Sequence, residues 1–244
     1  SANKFLELNP GWTRLVGRLM TDHCDGCRNG VRLDFDFTMA FQPIVDLGSG
    51  RIWGYEALVR GLDGAPDDVQ ARYLEGVVPT DAGGIVRVAS IYLPNGNPAP
   101  GPKYDYKLYW MAHLLSRAET LLATETPIVL AGDYNVIPTD DDVHDAAAWH
   151  GDALIRPETR ALFRRLLNLG YSDAFRVLNA TPHRYSFWDY QGGAWQKDQG
   201  VRIDHLLLSP QAVDRLTAAD IDQEPRGKAK ASDHTPVWIE LATA

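Results

Sequence analysis

Two apolar runs near the start of the chain flank a short glycine-containing turn. The runs are residues 38–47 (TMAFQPIVDL) and 51–59 (RIWGYEALV), and residues 48–50 (GSG) lie between them. This pattern is typical of a β-hairpin. Residues 11–20, before the hairpin, are predicted to form a short helix. The stretch after the hairpin is rich in Gly, Asp and Pro, so we predict a boundary near Pro66 that separates residues 1–66 from residues 67–244.

The second part alternates apolar strands with amphipathic helices. Strands are predicted at residues 85–93, 127–131, 201–208 and 235–241, and a helix at residues 157–169. A longer helix is indicated by an apolar stripe with spacings of three and four, formed by Leu108, Met111, Leu115, Ala118 and Leu122. Helices that alternate with apolar strands are typical of a layered α/β architecture.

Composition and net charge bear on whether the chain can bind nucleic acid or a membrane. The 244 residues are 45% hydrophobic, which is enough for a substantial core, and carry a net charge of -8. That charge argues against binding nucleic acid through the overall field, so any such site must be a local basic patch. Cys24 and Cys27 are too close together to cross-link distant parts of a large fold. Nothing therefore indicates an oxidising compartment, and we expect a cytoplasmic location. No apolar run approaches the roughly 18 residues of a membrane span, so we expect no membrane partner.

Polar side chains cluster at the ends of the predicted strands, where buried strands would not otherwise carry them. They are Tyr92, Asp133, Asn135, Asp204, Asp233 and His234. Carboxylates with Asn, Tyr and His, and no cysteine nearby, suit Mg²⁺ or Mn²⁺ better than zinc. Each piece alone is more often a self-capping turn. Their joint occurrence favours a metal-assisted phosphoryl-transfer site.

Five segments resemble, in order, the successive motifs of the exodeoxyribonuclease III family. They are residues 89–96 (ASIYLPNG), 130–139 (LAGDYNVIPT), 185–190 (YSFWDY), 200–208 (GVRIDHLLL) and 232–238 (SDHTPVW). The resemblance extends from about residue 67 to residue 241. It implies an α/β fold for this part, namely an incomplete layered α/β sandwich of the exonuclease-endonuclease-phosphatase type.

The resemblance also implies roles for the polar residues at the strand ends. Asp133 would position or activate the attacking water, and Asn135 and Tyr92 would contact the phosphate. Asp204 and His234 would form a carboxylate–imidazole pair that keeps the imidazolium charged. The implied partner is double-stranded DNA with abasic sites or 3′ ends, cleaved in base-excision repair.

Aromatic and basic residues in or near these segments are candidate contacts to DNA. Phe187 and Trp188 would press against DNA, with core packing as the alternative. Arg184 and Arg202 are candidate DNA-binding residues. Further phosphate-contact candidates, for which scattered surface charge is the alternative, are Arg176, Arg226, Lys228 and Lys230.

Two elements of the family pattern have no counterpart before Asp67. The pattern should begin with a strand that carries a catalytic Asn, followed by a strand that ends in a metal-binding Glu. Asp233 is the metal-binding residue that remains. We therefore expect impaired hydrolysis, and the alternative is a non-catalytic DNA-binding pseudoenzyme or chimeric fragment.

Residues 17–66 resemble a different family, the start of an EAL domain, which is a cyclic di-GMP phosphodiesterase barrel. The resemblance is carried by residues 41–47 (FQPIVDL) and 54–61 (GYEALVRG). It implies a β-hairpin fragment of an EAL barrel, with Glu56 as a metal ligand and Gln42 near the dinucleotide. A cyclic di-GMP-related EAL protein is thus a second alternative. Glu56 is also a candidate replacement for the missing metal-binding Glu. The sequence does not specify an oligomeric state.

Overall fold

The chain forms two compact units in the computed structural model, Ser1–Leu74 and Glu75–Ala244. Residues 72–80 and 84–242 are described with their side chains. Before residue 72, the structure describes only the backbone of four strands. The predicted boundary at Pro66 lies outside the described residues, shortly before the division between the two units.

The first unit contains an antiparallel sheet with the order β1-β2-β3-β4. Its strands are β1 (Glu7–Asn9), β2 (Trp12–Val16), β3 (Phe37–Asp46) and β4 (Arg51–Gly61). The β3–β4 pair confirms the predicted hairpin, and its register sets Gln42 opposite Glu56. The helix predicted at residues 11–20 is wrong, because β2 pairs with β3 and this pairing overrides local preference. The side chains of Gln42 and Glu56 lie outside the described residues, and the EAL interpretation stays a prediction.

The second unit is built on a five-stranded sheet with the order β5-β6-β7-β9-β8. The elements in chain order are β5 (Tyr73–Pro79), β6 (Ile85–Tyr92), α1 (Pro102–Leu122), β7 (Ile128–Asp133), α2 (Pro157–Leu169), β8 (Ser172–Asp173), α3 (Ala174–Leu178), β9 (Asp204–Leu208), α4 (Pro210–Val213), β10 (Leu216–Ile221) and β11 (Val237–Leu241). Strands β6 and β7 are parallel, whereas β9 is antiparallel to both β7 and β8.

Both faces of this sheet are covered in the second unit. On one face, the Phe163 ring of α2 lies 4.8 Å from the His205 ring of β9. On the other face, Leu206 and Leu208 of β9 join an apolar cluster with Ile239 of β11, which pairs with β10 in an antiparallel two-stranded sheet. Alternate residues of β9 thus face opposite layers, as a strand requires. This confirms the predicted layered α/β fold. Within residues 72–80 and 84–242, no helix is long and apolar enough to cross a membrane.

Candidate active site

Three neighbouring strands present polar residues in one row at the edge of the sheet. Tyr92 ends β6, Asp133 ends β7, and Asp204 begins the oppositely directed β9. The register pairs Tyr92 with Asp133 and Asp133 with Asp204. Residues paired in this way project to the same side of a sheet. The Tyr92 side of the row is open to solvent, since this residue is 48% exposed. The fold therefore brings together three residues that the sequence places far apart.

Asn135 is bound to Asp133 by two hydrogen bonds. The Asn135 backbone N–H donates to Asp133 Oδ1 at 2.8 Å, and its Nδ2 donates to Asp133 Oδ2 at 2.9 Å. The same Nδ2 donates to the Leu93 carbonyl at 2.9 Å, and Asn95 Nδ2 donates to Asn135 Oδ1 at 3.0 Å. Asn135 adopts the left-handed region with φ 49°, which Asn tolerates better than most residues. Because both Nδ2 hydrogens are engaged, Asn135 in this structure orients the Asp133 carboxylate, and its contact with phosphate stays a prediction.

Asp204 and His234 form the second half of the site. The Asp204 Oδ2 atom lies 2.9 Å from His234 Nδ1 and accepts a 2.6 Å hydrogen bond from Ser186 Oγ. The Ser186 hydroxyl also accepts the backbone N–H groups of Ile203 and Asp204, each at 3.1 Å. A β-bridge between Phe187 and His234 brings the last loop to the sheet edge. The Asp204 carboxylate is therefore held by both Ser186 and His234, and the His234 imidazole is held by Asp204.

The pKa values of Asp133 and His234 are both raised above their ordinary values. Burial raises the pKa of Asp133 to about 7; the Asp204 carboxylate adds to this rise, and His234 opposes it. Burial disfavours the His234 imidazolium, but the charge and hydrogen bond of Asp204 outweigh burial and raise the pKa of His234 to about 9. At neutral pH, His234 carries a proton while Asp133 can exchange one. A carboxyl group poised near the working pH suits general base catalysis.

The donor chemistry at this edge fits a hard divalent cation. Asp133, Asp204 and Asp233 carry carboxylate oxygens, the type of donor that Mg²⁺ and Mn²⁺ prefer. Asp233 is partly exposed and adjoins His234, whose pKa it helps to raise. However, in the part of the chain described with side chains, no group of three or more His, Cys, Asp or Glu residues is arranged to hold a metal ion. The described residues thus offer part of a ligand set.

The four residues predicted to bind DNA lie in different environments. Phe187 is partly exposed and its ring lies 5.0 Å from the His234 ring. Arg184 is partly exposed and forms an ion pair with Asp220 at 2.8 Å. Trp188 is 0% exposed, and its Nε1 donates to Asp198 at 3.0 Å. For Trp188, the structure therefore shows the alternative of core packing, whereas the DNA contacts of the partly exposed Phe187 and Arg184 stay predictions.

Arg202 is the fourth of these residues, and it lies inside the fold. It is 1% exposed and forms ion pairs with Asp142 at 2.7 Å and with Asp173 at 2.8 Å. Arg176, which was also a phosphate-contact candidate, bonds to the same Asp142 carboxylate at 2.5 Å. These contacts join the loop after Asn135 to the segment that leads into Asp204. Arg202 is therefore part of the buried framework of the site, and its predicted contact with DNA is wrong because its guanidinium is enclosed by protein.

Two residues of the site were not predicted from the sequence. Ser186 lies inside the segment at residues 185–190, whose aromatic residues carry the sequence-based prediction of DNA contact. Lys107 is 0% exposed on the buried face of α1. Lys107 lies one helical turn before Met111 and therefore on the apolar stripe of the helix. A lysine on an apolar stripe is the sequence signal that could have identified it. Burial lowers the pKa of Lys107 to about 7, although Asp133 and Asp152 favour its charged form.

The layered fold brings carboxylates and an imidazole together at one sheet edge, an arrangement that suits a hydrolytic enzyme. A model of the endonuclease/exonuclease/phosphatase family matches residues 32–234, and the chain belongs to this family. Exodeoxyribonuclease III of Haemophilus influenzae is 32% identical over 190 residues, which are 75% of this chain and 71% of that protein. The predicted family is thereby confirmed. The family match begins ahead of the predicted boundary at residue 67.

Solved structures of nucleases are also similar to this chain. A 3′-5′ exonuclease from Neisseria meningitidis superposes with a TM-score of 0.66 at 34% identity, over 75% of this chain and 69% of that one. An AP endonuclease from Archaeoglobus fulgidus superposes with a TM-score of 0.68 at 26% identity, over 83% of this chain and 80% of that one. These likenesses agree with the sandwich architecture and with descent from DNA-processing nucleases.

Proposed function

We propose that this chain hydrolyses phosphodiester bonds in double-stranded DNA with the help of Mg²⁺ or Mn²⁺, at abasic sites or at 3′ ends. The observation that carries the proposal is the row of Asp133 and Asp204 at one sheet edge, with His234 bonded to Asp204. The names of the relatives, an exodeoxyribonuclease, a 3′-5′ exonuclease and an AP endonuclease, support DNA as the substrate.

Asp133 orients the attacking water and accepts its proton. Its two hydrogen bonds from Asn135 fix the plane of the carboxylate. The raised pKa of Asp133, about 7, allows the group to take up a proton near neutral pH. A fixed carboxylate with this pKa meets the two requirements of a general base, which are geometry and protonation state.

His234 supplies positive charge to the phosphate. Its pKa of about 9 keeps the imidazolium protonated at neutral pH. Asp204 holds the ring through Nδ1, and Ser186 holds Asp204. A charged donor fixed in a partly buried site stabilises the negative charge that develops in the transition state. Tyr92, which is exposed in the same row, would contact the same phosphate.

The divalent cation would be held by Asp233, together with oxygen donors of the sheet edge. It would neutralise charge on the phosphate oxygens. Glu56, whose side chain lies outside the described residues, stays a candidate ligand on sequence grounds alone. Phe187 and Arg184 would contact the DNA beside the site. A chain with a weak or incomplete ligand set should hydrolyse DNA slowly.

The test is cleavage of a fluorescent duplex that carries one abasic-site analogue, with Mg²⁺ and with EDTA. The unsubstituted chain is compared with Asp133→Asn and with Asp214→Asn, a matched change at an exposed carboxylate on α4's C-terminal side. Cleavage that requires Mg²⁺, is lost in Asp133→Asn and persists in Asp214→Asn would support the proposal. Cleavage that survives in Asp133→Asn would contradict it.

A non-catalytic DNA-binding protein is the second candidate. It is favoured by the lack of a three-ligand metal cluster among residues 72–80 and 84–242. This candidate predicts that the folded chain binds the same duplex with equal affinity in Mg²⁺ and in EDTA and does not cleave it. Fluorescence anisotropy on the cleavage substrate distinguishes the two candidates.

A further inference from the structure

Lys107 occupies an unusual place for a lysine. Its side chain is fully buried on the inner face of α1. A buried ammonium is costly unless its hydrogens find acceptors, so the contacts of this group indicate why it is tolerated. Met or Leu would fill the same space on the helix without that cost.

The Lys107 ammonium joins two loops of the active site. Nζ donates to the Asn135 carbonyl at 2.5 Å and to the Asn95 carbonyl at 3.0 Å. Asn95 lies in the loop after β6, and Asn135 lies in the loop after β7. Both acceptors are backbone atoms, so the ammonium fixes the course of the two loops relative to α1.

The side chains of the same two residues continue the connection to the reacting group. Asn95 Nδ2 donates to Asn135 Oδ1 at 3.0 Å, and Asn135 Nδ2 donates to Asp133 Oδ2 at 2.9 Å. Hydrogen bonds, joined through the covalent skeletons of Asn95 and Asn135, therefore connect the Lys107 ammonium to the Asp133 carboxylate. We refer to Asn95, Asn135 and Asp133 as the amide–carboxylate chain.

The packing around Lys107 is fitted to this side chain. A Cβ atom on Gly96, the residue after Asn95, would lie 2.7 Å from Lys107 Cδ. Gly96 also has a φ of 90°, which L side chains rarely adopt. The loop after β6 thus passes directly over the lysine stem, and only glycine leaves room for it.

We propose that Lys107 is a positioning residue of the active site, whose ammonium holds the two loops so that the amide–carboxylate chain aims Asp133. The effect on cleavage rests on the proposed function; the effect on the geometry of Asn95 and Asn135 does not. A displaced catalytic group lowers turnover more than it lowers substrate binding.

The experiment compares Lys107→Met, Lys107→Arg and Lys103→Met in the whole chain. Lys103 is exposed on the same helix and serves as the matched control. The first readout is the NMR signals of the Asn95 and Asn135 side-chain amides, including the rate at which the Asn135 Nδ2 hydrogens exchange with water. The second is turnover of the abasic duplex at saturating DNA with Mg²⁺.

We expect Lys107→Met to shift both amide signals, to speed exchange at Asn135, and to lower turnover about 100-fold with little change in KM. Lys107→Arg should restore the amide signals and part of the turnover, and Lys103→Met should change neither. Unchanged amide signals in folded Lys107→Met would overturn the proposal. If the unsubstituted chain cleaves no DNA, the proposed function fails, and the amide signals still decide the role of Lys107.

A measurement on the unsubstituted chain covers the case in which Lys107→Met does not fold. Scalar couplings across the hydrogen bonds, from Lys107 Nζ to the carbonyl carbons of Asn95 and Asn135, should be observable. Their presence would support the proposal, and the absence of both would overturn it.

Discussion

Nδ1 of His234 lies 2.9 Å from Oδ2 of Asp204, although the two residues are 30 positions apart in the chain. The charge of Asp204 offsets the burial of the imidazole and raises its pKa to about 9. The folded-state pKa therefore lies above the usual value of 6.5. The stability that the pair contributes is fully present below about pH 6.5 and is lost as the pH rises through about 9.

Asp204→Asn should lower the pKa of His234, because burial then acts without the opposing carboxylate. The measurement is an NMR titration of the His234 ring signals in both proteins between pH 5 and pH 10. Asp214→Asn is the control, since it removes an exposed carboxylate. A His234 pKa that is the same in Asp204→Asn and in the unsubstituted chain would show that the pair does not set it.

Arg202→Met should destabilise the protein by about 3–5 kcal/mol, the typical cost of breaking a buried pair by removing one partner. Asp142 and Asp173 would then lose the guanidinium that both contact. Arg184→Met is the matched control. Its ion pair with Asp220 is 34% and 44% exposed, so its loss should cost about 0–1 kcal/mol. Urea unfolding measures both; equal losses would contradict the framework role of Arg202.

His205 makes stability depend on pH in the acid range. Burial and the neighbouring Arg202 lower the pKa of His205 from 6.5 to about 4. Between pH 6.5 and pH 4, His205 is protonated in the unfolded chain but not in the folded chain. The free energy of unfolding therefore falls as the pH drops from 6.5 toward 4. The slope from this one group is about 1.4 kcal/mol per pH unit.

Urea unfolding at pH 7.5 and pH 5 tests this dependence. His205→Gln should be less stable at pH 7.5 but should lose less stability on acidification than the unsubstituted chain. His150→Gln, at an exposed histidine, is the control and should leave the slope unchanged. A slope that His205→Gln does not reduce would rule out His205 as its source.

Gly132→Ala should prevent stable folding, whereas Gly76→Ala should be tolerated. A Cβ atom at Gly132 would lie 1.9 Å from the Ile91 carbonyl oxygen, and the backbone φ there is 145°. At Gly76, on β5 of the same sheet, nothing lies within 4 Å of the added atom. We expect a loss of about 3 kcal/mol or more for Gly132→Ala, since overpacking at backbone cannot relax easily. Thermal melting by circular dichroism compares the two; equal melting temperatures would contradict the close approach of β6 and β7.

The limits of the sequence-based predictions are visible in β9. A strand was predicted over residues 201–208, but β9 begins at Asp204. Val201 instead forms an isolated bridge with Phe187, and Arg202 turns inward to Asp142 and Asp173. These contacts come from segments distant in sequence, so periodicity within the strand does not reveal them. Strands β5 and β10 were also not predicted, because neither stood out as an apolar run.

The sequence by itself determined the layered α/β class, the hairpin β3–β4, the bounds of α2, and the family, because apolar periodicity and the order of short motifs are local properties of a chain. Only the tertiary structure decided the row of Tyr92, Asp133 and Asp204, since strand register depends on pairing between distant segments. It also decided that Lys107 and Arg202 lie buried. A charged side chain can be buried only where distant acceptors meet it, and the fold alone brings those acceptors together.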